Sequence, residues 1–248
     1  MIDLHTHALP YIDDGASDPQ VTAEILKTEW EQGVREVLFT PHYYGKRSIE
    51  EFLDKRKKGL ESIQDVIPAG MKTRVGAEVL LTGVNDPTDD AICALAIEGT
   101  KYVLIELPFQ KWRESLLDRI SDFVEETGYT PIIAHVERYV EVLKNPSILT
   151  YFTEMGCLIQ VNVDTFLDKR LRRFAFALLK KGMVHCLGTD AHNATTRGVH
   201  YAEAKNAILD KGLEAEWNGI QWCMQKVVKG ETVLLPSATL RKFGPWYF

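Results

Sequence analysis

The interpretation starts from residues 1–7, which read Met1-Ile2-Asp3-Leu4-His5-Thr6-His7. Apolar and polar residues alternate here, as in a β-strand whose successive side chains point to opposite faces. Asp3, His5 and His7 therefore share one face. Imidazole is a common metal ligand, and a His-x-His pair at a strand end can hold one cation from two sides. The stretch predicts a strand that ends in a metal site, whereas two solvated histidines are the simpler alternative.

The rest of the sequence repeats a unit of one short apolar strand and one helix. Gly33, Gly99 and Gly128 each follow a helical pattern, where a left-handed residue commonly ends the helix. We predict seven strands, at residues 1–7, 34–40, 73–79, 102–107, 131–134, 157–163 and 184–188. The predicted helices cover residues 21–32, 49–65, 89–98, 113–127, 146–155, 171–181, 197–211 and 216–229.

This pattern predicts an α/β fold with a parallel sheet. Strands that are apolar throughout and alternate with helices pair in parallel, with helices covering the sheet. Seven such units indicate a distorted TIM-like (β/α)7 barrel. The 248 residues, 45% of them hydrophobic, suffice for a large core, and we expect a single domain over residues 1–248.

Charge and composition narrow the functional class. There are 29 Lys plus Arg against 35 Asp plus Glu, for a net charge of -6, and no basic tract that would predict nucleic-acid binding. No leader pattern and no apolar run of about 18 residues is present, so the sequence predicts a cytoplasmic protein without membrane insertion.

The four cysteines are Cys93, Cys157, Cys186 and Cys223, and they form no Cys-x-x-Cys pair. The spacing argues against a disulfide framework and against a thiolate zinc site. None is followed six positions later by Arg, as in the phosphate loop of cysteine-dependent phosphatases. A thiol nucleophile is therefore not expected.

Potential metal ligands recur where the predicted strands end. In barrels of this type the active site lies at the carboxyl ends of the strands. Each residue alone has a structural explanation, such as a turn, an ion pair or a helix cap, but buried carboxylates are costly unless they are paired or bound to metal. The candidate ligands are His5, His7, Asp14, His42, Glu78, Glu106, His135, Asp190 and His192.

These residues lie in motifs that resemble a known family. The sequence is similar to the PHP (polymerase and histidinol phosphatase) superfamily, and most closely to its bacterial manganese-dependent protein-tyrosine phosphatases of the CpsB/YwqE type. The resemblance covers nearly the whole chain and implies the PHP fold. The matching motifs are His5-Thr6-His7, Asp13-Asp14-Gly15, Thr40-Pro41-His42, Gly76-Ala77-Glu78, Ile105-Glu106, His135-Val136-Glu137-Arg138-Tyr139 and Thr189-Asp190-Ala191-His192.

The resemblance implies a site for three divalent metal ions, with manganese expected and iron, zinc or cobalt also compatible with nitrogen and oxygen ligands. The implied ligand sets are His5, His7, Glu78 and Asp190 for the first ion, Glu78, Glu106 and His135 for the second, and Asp14, His42 and His192 for the third. Four carboxylates against three dications leave roughly two positive charges, which suits a phosphate dianion or hydroxide.

Such a site would hydrolyse phosphomonoesters through a hydroxide that the metals activate. Arg138 and Arg197 are expected to bind phosphate oxygens, although each would otherwise be a surface charge. Asp3 is expected to hold an imidazole through its second nitrogen. No carboxylate remains for a dedicated general acid, which favours the phenolate leaving group of phosphotyrosine over an alkoxide.

The family resemblance implies a protein-tyrosine phosphatase of capsule or exopolysaccharide synthesis. Its partner would be a phosphotyrosine-containing protein, the tyrosine-rich tail of a membrane-associated tyrosine kinase. The alternative within the superfamily is a small-molecule phosphatase such as histidinol-phosphate phosphatase. A regulatory module that binds phosphotyrosine without cleaving it would be expected to lack one or more metal ligands, whereas all nine candidates are present. An amidohydrolase would be expected to carry a lysine on a central strand, and none of the predicted strands contains one.

Overall fold

Parallel strands form the centre of the fold in the computed structural model, which describes residues 1–82, 90–235, 237–244 and 246–247. One sheet has the strand order β1-β2-β4 and a second the order β3-β5-β6-β7-β8-β9. The central strands are β1 (Ile2–Thr6), β2 (Glu36–Phe39), β3 (His42–Tyr43), β4 (Lys72–Val75), β5 (Glu78–Leu80), β6 (Tyr102–Glu106), β7 (Thr130–Ile133), β8 (Leu158–Asn162) and β9 (Cys186–Gly188).

One predicted strand is followed by a further short strand, and another is divided in two. The predicted strand 34–40 ends at Phe39, and its continuation β3 begins after Pro41, which lacks the N–H that a ladder requires. The predicted strand 73–79 is broken at residues 76–77. Backbone hydrogen bonds from Gly76 N to Phe39 O (2.9 Å) and from Glu78 N to Pro41 O (3.0 Å) keep the two chain segments paired through these breaks.

The first and last central strands approach each other. A parallel bridge joins Thr6 to Ala191, and His7 N donates to Ala191 O at 2.9 Å. The parallel strands thus form a curled half-barrel sheet, and the carboxyl ends of β1 and β9 lie side by side.

Helices cover this sheet, with bounds that follow the sequence signals closely at most ends. Asp18 caps the first helix by accepting from Gln20 N and Val21 N, and Gly128 ends the third in the left-handed conformation (φ 65°). The helices are α1 (Pro19–Glu31), α2 (Ile49–Ser62), α3 (Glu114–Thr127), α4 (Val140–Lys144), α5 (Ile148–Glu154), α6 (Arg172–Lys180), α7 (Tyr201–Leu209) and α8 (Glu214–Val228).

One predicted helix differs from the structure, and two elements of the structure were not predicted. The helix expected over 89–98 is a 3-10 helix at Asp90–Leu95, and residue 89 lies outside the described residues. The helix expected over 146–155 is preceded by a separate helix, α4, which the sequence reasoning missed. A C-terminal hairpin of β10 (Lys242–Phe243) and β11 (Trp246–Tyr247) was also missed, since its short strands carry little periodicity.

The core lies between the sheet and the inner faces of the helices. Leu38, Leu104, Ile133 and Ile159 from the strands are fully or almost fully buried, as is Phe152 from α5. Within the described part of the chain, no helix is both long enough and apolar enough to cross a bilayer.

Candidate metal centre

The sequence-predicted ligands lie together at one end of the curled sheet. His5 and His7 come from β1 and its end, Glu106 is the last residue of β6, and Asp190 follows β9. Most of these side chains are buried, whereas Asp14, in the loop after β1, is 64% exposed. The fold therefore brings ligands from separate strands to a single buried position with one exposed side.

Glu78 lies at the centre of this cluster. Its Oε2 is 2.9 Å from His42 Nδ1, 3.2 Å from His7 Nε2 and 3.3 Å from His5 Nε2. None of these three nitrogens is oriented to make a hydrogen bond to it. The Nε2 atoms of His5 and His7 face each other at 3.0 Å. Imidazole nitrogens that converge on one carboxylate oxygen in this way are suited to share a cation.

A first group of ligand atoms combines the β1 histidines with the β9 end. His7 Nε2 lies 3.4 Å from Asp190 Oδ1, and His5 Nε2 lies 3.8 Å from the same oxygen. Single ligand atoms of His5, His7 and Asp190 all lie within 4.8 Å of one another. The structure thus brings together the four residues of the first implied ligand set.

A second group surrounds the other oxygen of Glu78. His135 Nε2 is 2.7 Å from Glu78 Oε1 and 3.4 Å from Glu106 Oε1. His42 also has a ligand atom within 4.8 Å of both carboxylates. Glu78 can therefore bridge two ions, one through each oxygen.

A third group faces solvent. Asp14 Oδ1 is 3.5 Å from His192 Nε2 and 3.7 Å from His42 Nε2. His7, His42 and His192 form a triad with ligand atoms within 4.8 Å. The exposed carboxylate of Asp14 makes this the most accessible part of the cluster.

The protonation of the cluster follows from burial and neighbouring charge. Burial opposes the charge on Glu78, but His5 and a hydrogen bond from His135 hold its pKa well below the usual range. Burial likewise opposes the charge on His135, while Glu106 and Glu78 raise its pKa to about 9. Burial and the nearby His7 lower the pKa of His192 to about 4, so its imidazole is neutral at pH 7.

The donor atoms fit divalent cations. Glu78 Oε2 and His192 Nε2 are buried and have no hydrogen-bond partner, a costly arrangement unless another ligand meets them. The set contains only imidazole nitrogens and carboxylate oxygens, which accept manganese, iron, zinc or cobalt. The residues present therefore fit a multinuclear metal site.

The backbone is strained at two of the candidate ligands. His135 has φ 31° and Asp190 has φ 54°, the left-handed region that residues other than Gly rarely adopt. Each follows a strand end, so this conformation turns its side chain into the cluster. Strain of this kind concentrates at functional sites.

Both predicted arginines lie at the cluster. Arg138 Nη1 is 3.1 Å from Asp190 Oδ2, and Arg197 Nη2 is 2.9 Å from Asp190 Oδ1. Arg197 Nη1 also lies 3.7 Å from Asp14 Oδ2. Both side chains are about 40% exposed, so they face the cavity as well as the carboxylate.

The residues that orient the ligands differ in part from the prediction. Asp3 was expected to hold an imidazole ring but instead accepts from the backbone N of His5 (3.1 Å) and from Thr189. Gln160 Oε1 lies 3.3 Å from His5 Nδ1, and Asp13 Oδ2 lies 2.7 Å from His7 Nδ1. Sequence reasoning missed both partners, although Asp13 stands in the quoted Asp-Asp-Gly motif.

A cavity of about 450 Å³ opens over the cluster, lined by residues that include Tyr44, Phe109, Arg138 and Arg197. The Tyr44 ring stacks on His42 at 4.7 Å. Phe109, which is 49% exposed, stacks on His135 at 5.9 Å and lies 4.8 Å from the Arg138 guanidinium. The cavity over the cluster is thus lined by both aromatic rings and cationic side chains.

Comparison with known proteins gives consistent matches. The family model described as "Capsular polysaccharide synthesis, CpsB/CapC" matches residues 1–222. The tyrosine-protein phosphatase YwqE of Bacillus subtilis is 32% identical, with 87% of this chain and 86% of YwqE aligned. The tyrosine-protein phosphatase CpsB of Streptococcus pneumoniae is 27% identical, with 85% and 90% aligned.

A solved structure has the same fold. It belongs to a study of YwqE from Bacillus subtilis and CpsB from Streptococcus pneumoniae, described as "unique metal-dependent tyrosine phosphatases". The TM-score is 0.81 at 28% identity, over 96% of this chain and 98% of that one. Fold and sequence therefore indicate the same family.

Proposed function

Because the chain belongs to the CpsB/CapC family of capsular polysaccharide synthesis, we propose that it hydrolyses protein phosphotyrosine in a metal-dependent reaction. It is an enzyme of the tyrosine-protein phosphatase class, like the relatives named above. The observation that carries the proposal is the buried cluster in which three imidazoles converge on Glu78 beneath two arginines.

The proposed site holds three divalent ions. His5, His7, Glu78 and Asp190 would hold the first, Glu78, Glu106 and His135 the second, and Asp14, His42 and His192 the third. Manganese is the proposed ion. Bound cations would neutralise the phosphoryl oxygens and lower the pKa of a coordinated water toward about 7.

The residues around the cluster orient the substrate. Arg138 and Arg197 would each donate hydrogen bonds to phosphoryl oxygens. Both guanidinium groups lie at the cluster, because each donates to the carboxylate of Asp190. Tyr44 and Phe109 would flank the phenyl ring, since both line the cavity above the cluster.

The leaving group would depart without a dedicated acid. Glu137 is the remaining carboxylate of its motif, and it accepts from Asn162 N and Thr165 Oγ1, both at 2.9 Å, below the cluster. A phenolate leaves readily because its conjugate acid has a pKa near 10, whereas an alkoxide needs protonation. The arrangement therefore favours aryl phosphates.

A thiol mechanism has no support in the structure. Burial raises the pKa of Cys157 to about 12 and also raises that of Cys186, so neither is a thiolate at neutral pH. Cys223 is buried as well. Cys93 is exposed but does not line the cavity over the cluster, and none of the three candidate ligand groups includes a cysteine. Chelation should therefore abolish hydrolysis and thiol alkylation should spare it; the reverse result would refute the metal assignment.

The decisive experiment compares leaving groups. One peptide is prepared with phosphotyrosine and with phosphoserine, and both are assayed beside histidinol phosphate with manganese in excess. We expect hydrolysis of the aryl ester and little of either alkyl ester. If the alkyl esters react as fast, the small-molecule phosphatase becomes the better proposal.

The finer expectations from the sequence extend this proposal. The substrate would be the tyrosine-rich tail of a membrane-associated tyrosine kinase in capsule synthesis. Residues 1–248 would form one domain, a distorted (β/α)7 barrel if β2 with β3 and β4 with β5 count as single strands. The cytoplasmic location stays a prediction.

A further inference from the structure

A strongly basic groove lies on the outer surface, between α6 and the C-terminal hairpin. It has a volume of about 560 Å³, and Arg172, Arg173, Lys180, Lys181 and Lys211 contribute five cations to its lining. The lining contains no Asp or Glu. We call this feature the basic groove.

The charges of the basic groove are available to a ligand. All five side chains belong to exposed residues, and none makes an ion pair within the described part of the chain. The inner face of α6 packs Phe174, Leu178 and Leu179 into the core. The outer face is therefore a basic stripe on a chain whose net charge is -6.

Two exposed aromatic side chains stand beside this stripe. Phe243 and Trp246 are opposite each other in the hairpin and are 77% and 71% exposed. The hairpin is anchored, because Tyr247 packs on Phe174 at 5.5 Å and Lys242 Nζ donates to Leu143 O at 2.6 Å. A fixed pair of exposed rings beside cations that make no ion pair is suited to a partner that offers an apolar region next to negative charge.

We propose that the basic groove and the Phe243–Trp246 pair dock the protein onto an anionic lipid surface. Headgroup phosphates attract clustered Lys and Arg, and aromatic rings favour the level of the headgroups. The cations from Arg172 to Lys181 extend over about 14 Å, given a rise of 1.5 Å per residue, which suits many dispersed headgroups better than one small ligand. The inference does not depend on the phosphatase proposal.

Vesicle co-sedimentation tests the docking. The full chain is mixed with vesicles of phosphatidylcholine alone, or of equal parts phosphatidylcholine and phosphatidylglycerol, at low and at physiological salt. We expect binding only to the anionic vesicles, weakened by salt. The double change Lys180→Glu with Lys181→Glu should lower the partition coefficient by about tenfold or more, and Trp246→Ser by a smaller factor.

Matched variants distinguish binding through this surface from a general effect of the protein's charge. Lys57→Glu with Lys58→Glu changes two exposed lysines of α2, and Trp222→Ser removes another exposed Trp; both proteins should bind like wild type. Hydrolysis of a soluble phosphotyrosine peptide should be unchanged in all four variants. Equal binding to neutral vesicles would overturn the proposal, as would wild-type binding by the Lys180/Lys181 variant. Binding to heparin or single-stranded DNA without binding to vesicles would also overturn it.

Discussion

Arg138 and Arg197 contact the same carboxylate, that of Asp190, from two directions. We expect Arg138→Ala and Arg197→Ala each to lower kcat/KM on a phosphotyrosine peptide by about 30-fold, corresponding to about 2 kcal/mol of lost charge-assisted hydrogen bonding. Steady-state kinetics with bound metal quantified in the same samples provides the measurement.

The metal content distinguishes two roles for these arginines. If they bind phosphate, the variants retain wild-type metal, whereas if they only position Asp190, metal is lost together with activity. Arg241→Ala, at an exposed position away from the described cluster, is the control and should match wild type. Unchanged kinetics in both site variants would contradict the phosphate-binding role.

Glu29 is a buried acid close to Asp3, and both contact Thr189. Burial, followed by the charge of Asp3, raises the pKa of Glu29 well above its ordinary value. Binding of this proton therefore contributes stability that is fully present below about pH 4.3, the pKa of Glu in the unfolded chain. That contribution is lost as the pH rises through the pKa of Glu29 in the folded protein. Glu29→Gln cannot lose such a proton.

We therefore expect the free energy of unfolding of Glu29→Gln, relative to that of wild type, to be larger at about pH 8 than at about pH 5. Urea unfolding at both pH values, with chelator throughout, measures this difference. Glu31→Gln, on the same helix but exposed, should show no such trend. A constant difference across the pH range would mean that Glu29 is ionised in the folded state.

Candidate metal ligands were easier to recognise in the sequence than the residues that orient their side chains. His5, His7 and Asp190 lie at strand ends, where a metal site is recognisable from residue type and position. Gln160 lies within β8 and has the pattern of an ordinary polar residue. Only the packing of β8 between β7 and β9 reveals its contacts with His5 and with His135 N (2.7 Å). Sequence spacing carries no such information across strands.

The loop after β1 is confined by Gly15. A Cβ at this position would lie 2.1 Å from His7 O and 2.6 Å from His7 Cβ. We expect Gly15→Ala to displace the loop that carries Asp13 and Asp14, and so to lower metal affinity and activity at least about 10-fold, as loss of a ligand-orienting partner does. Isothermal titration with manganese and a phosphatase assay measure both effects.

Gly219→Ala is the matched control for this substitution. Gly219 lies in α8 with nothing within 4 Å of the added Cβ, so the change should leave activity intact and stabilise the helix by up to about 1 kcal/mol. Wild-type manganese affinity in Gly15→Ala would show that the loop adapts.

Element prediction succeeded where periodicity was long and failed where it was short. α2 and α3 were predicted within a few residues because their amphipathic patterns are long. A serine cap at Ser48 marks the start of α2, and Gly128 marks the end of α3. The break at residues 76–77 and the separate strand β3 after Pro41 were missed, because the sequence pattern does not reveal where backbone hydrogen bonds change partner. α4, with five residues, is too short for a helical period to be recognised.

At the scale of the whole molecule, the proposed metal site joins strands that are distant in sequence. A ligand that binds only the folded state raises the apparent stability by RT ln(1 + [L]/Kd), or about 2.7 kcal/mol at 100 times Kd. We expect the melting temperature to rise with manganese concentration and to fall with chelator, as followed by calorimetry. His5→Ala with His135→Ala should abolish this rise.

His200→Ala is the control for the metal-dependent shift, because His200 pairs with Asp164 at 2.8 Å and does not belong to the cluster. This variant should show the same rise as wild type. A melting temperature independent of manganese in wild type would contradict a metal that binds only the folded chain.

The bridge between Thr6 and Ala191 also constrains the order of events on the ribosome. His5 and His7 emerge first, while Asp190 and His192 are added roughly 185 residues later, or about 10–40 s at common elongation rates. During that interval the nascent chain presents an incomplete set of histidines and carboxylates. The proposed ligand sets that include Asp190 or His192 can therefore be completed only after the last central strand is made, so the ion that would occupy them reflects the metal pool that the chain meets at that stage.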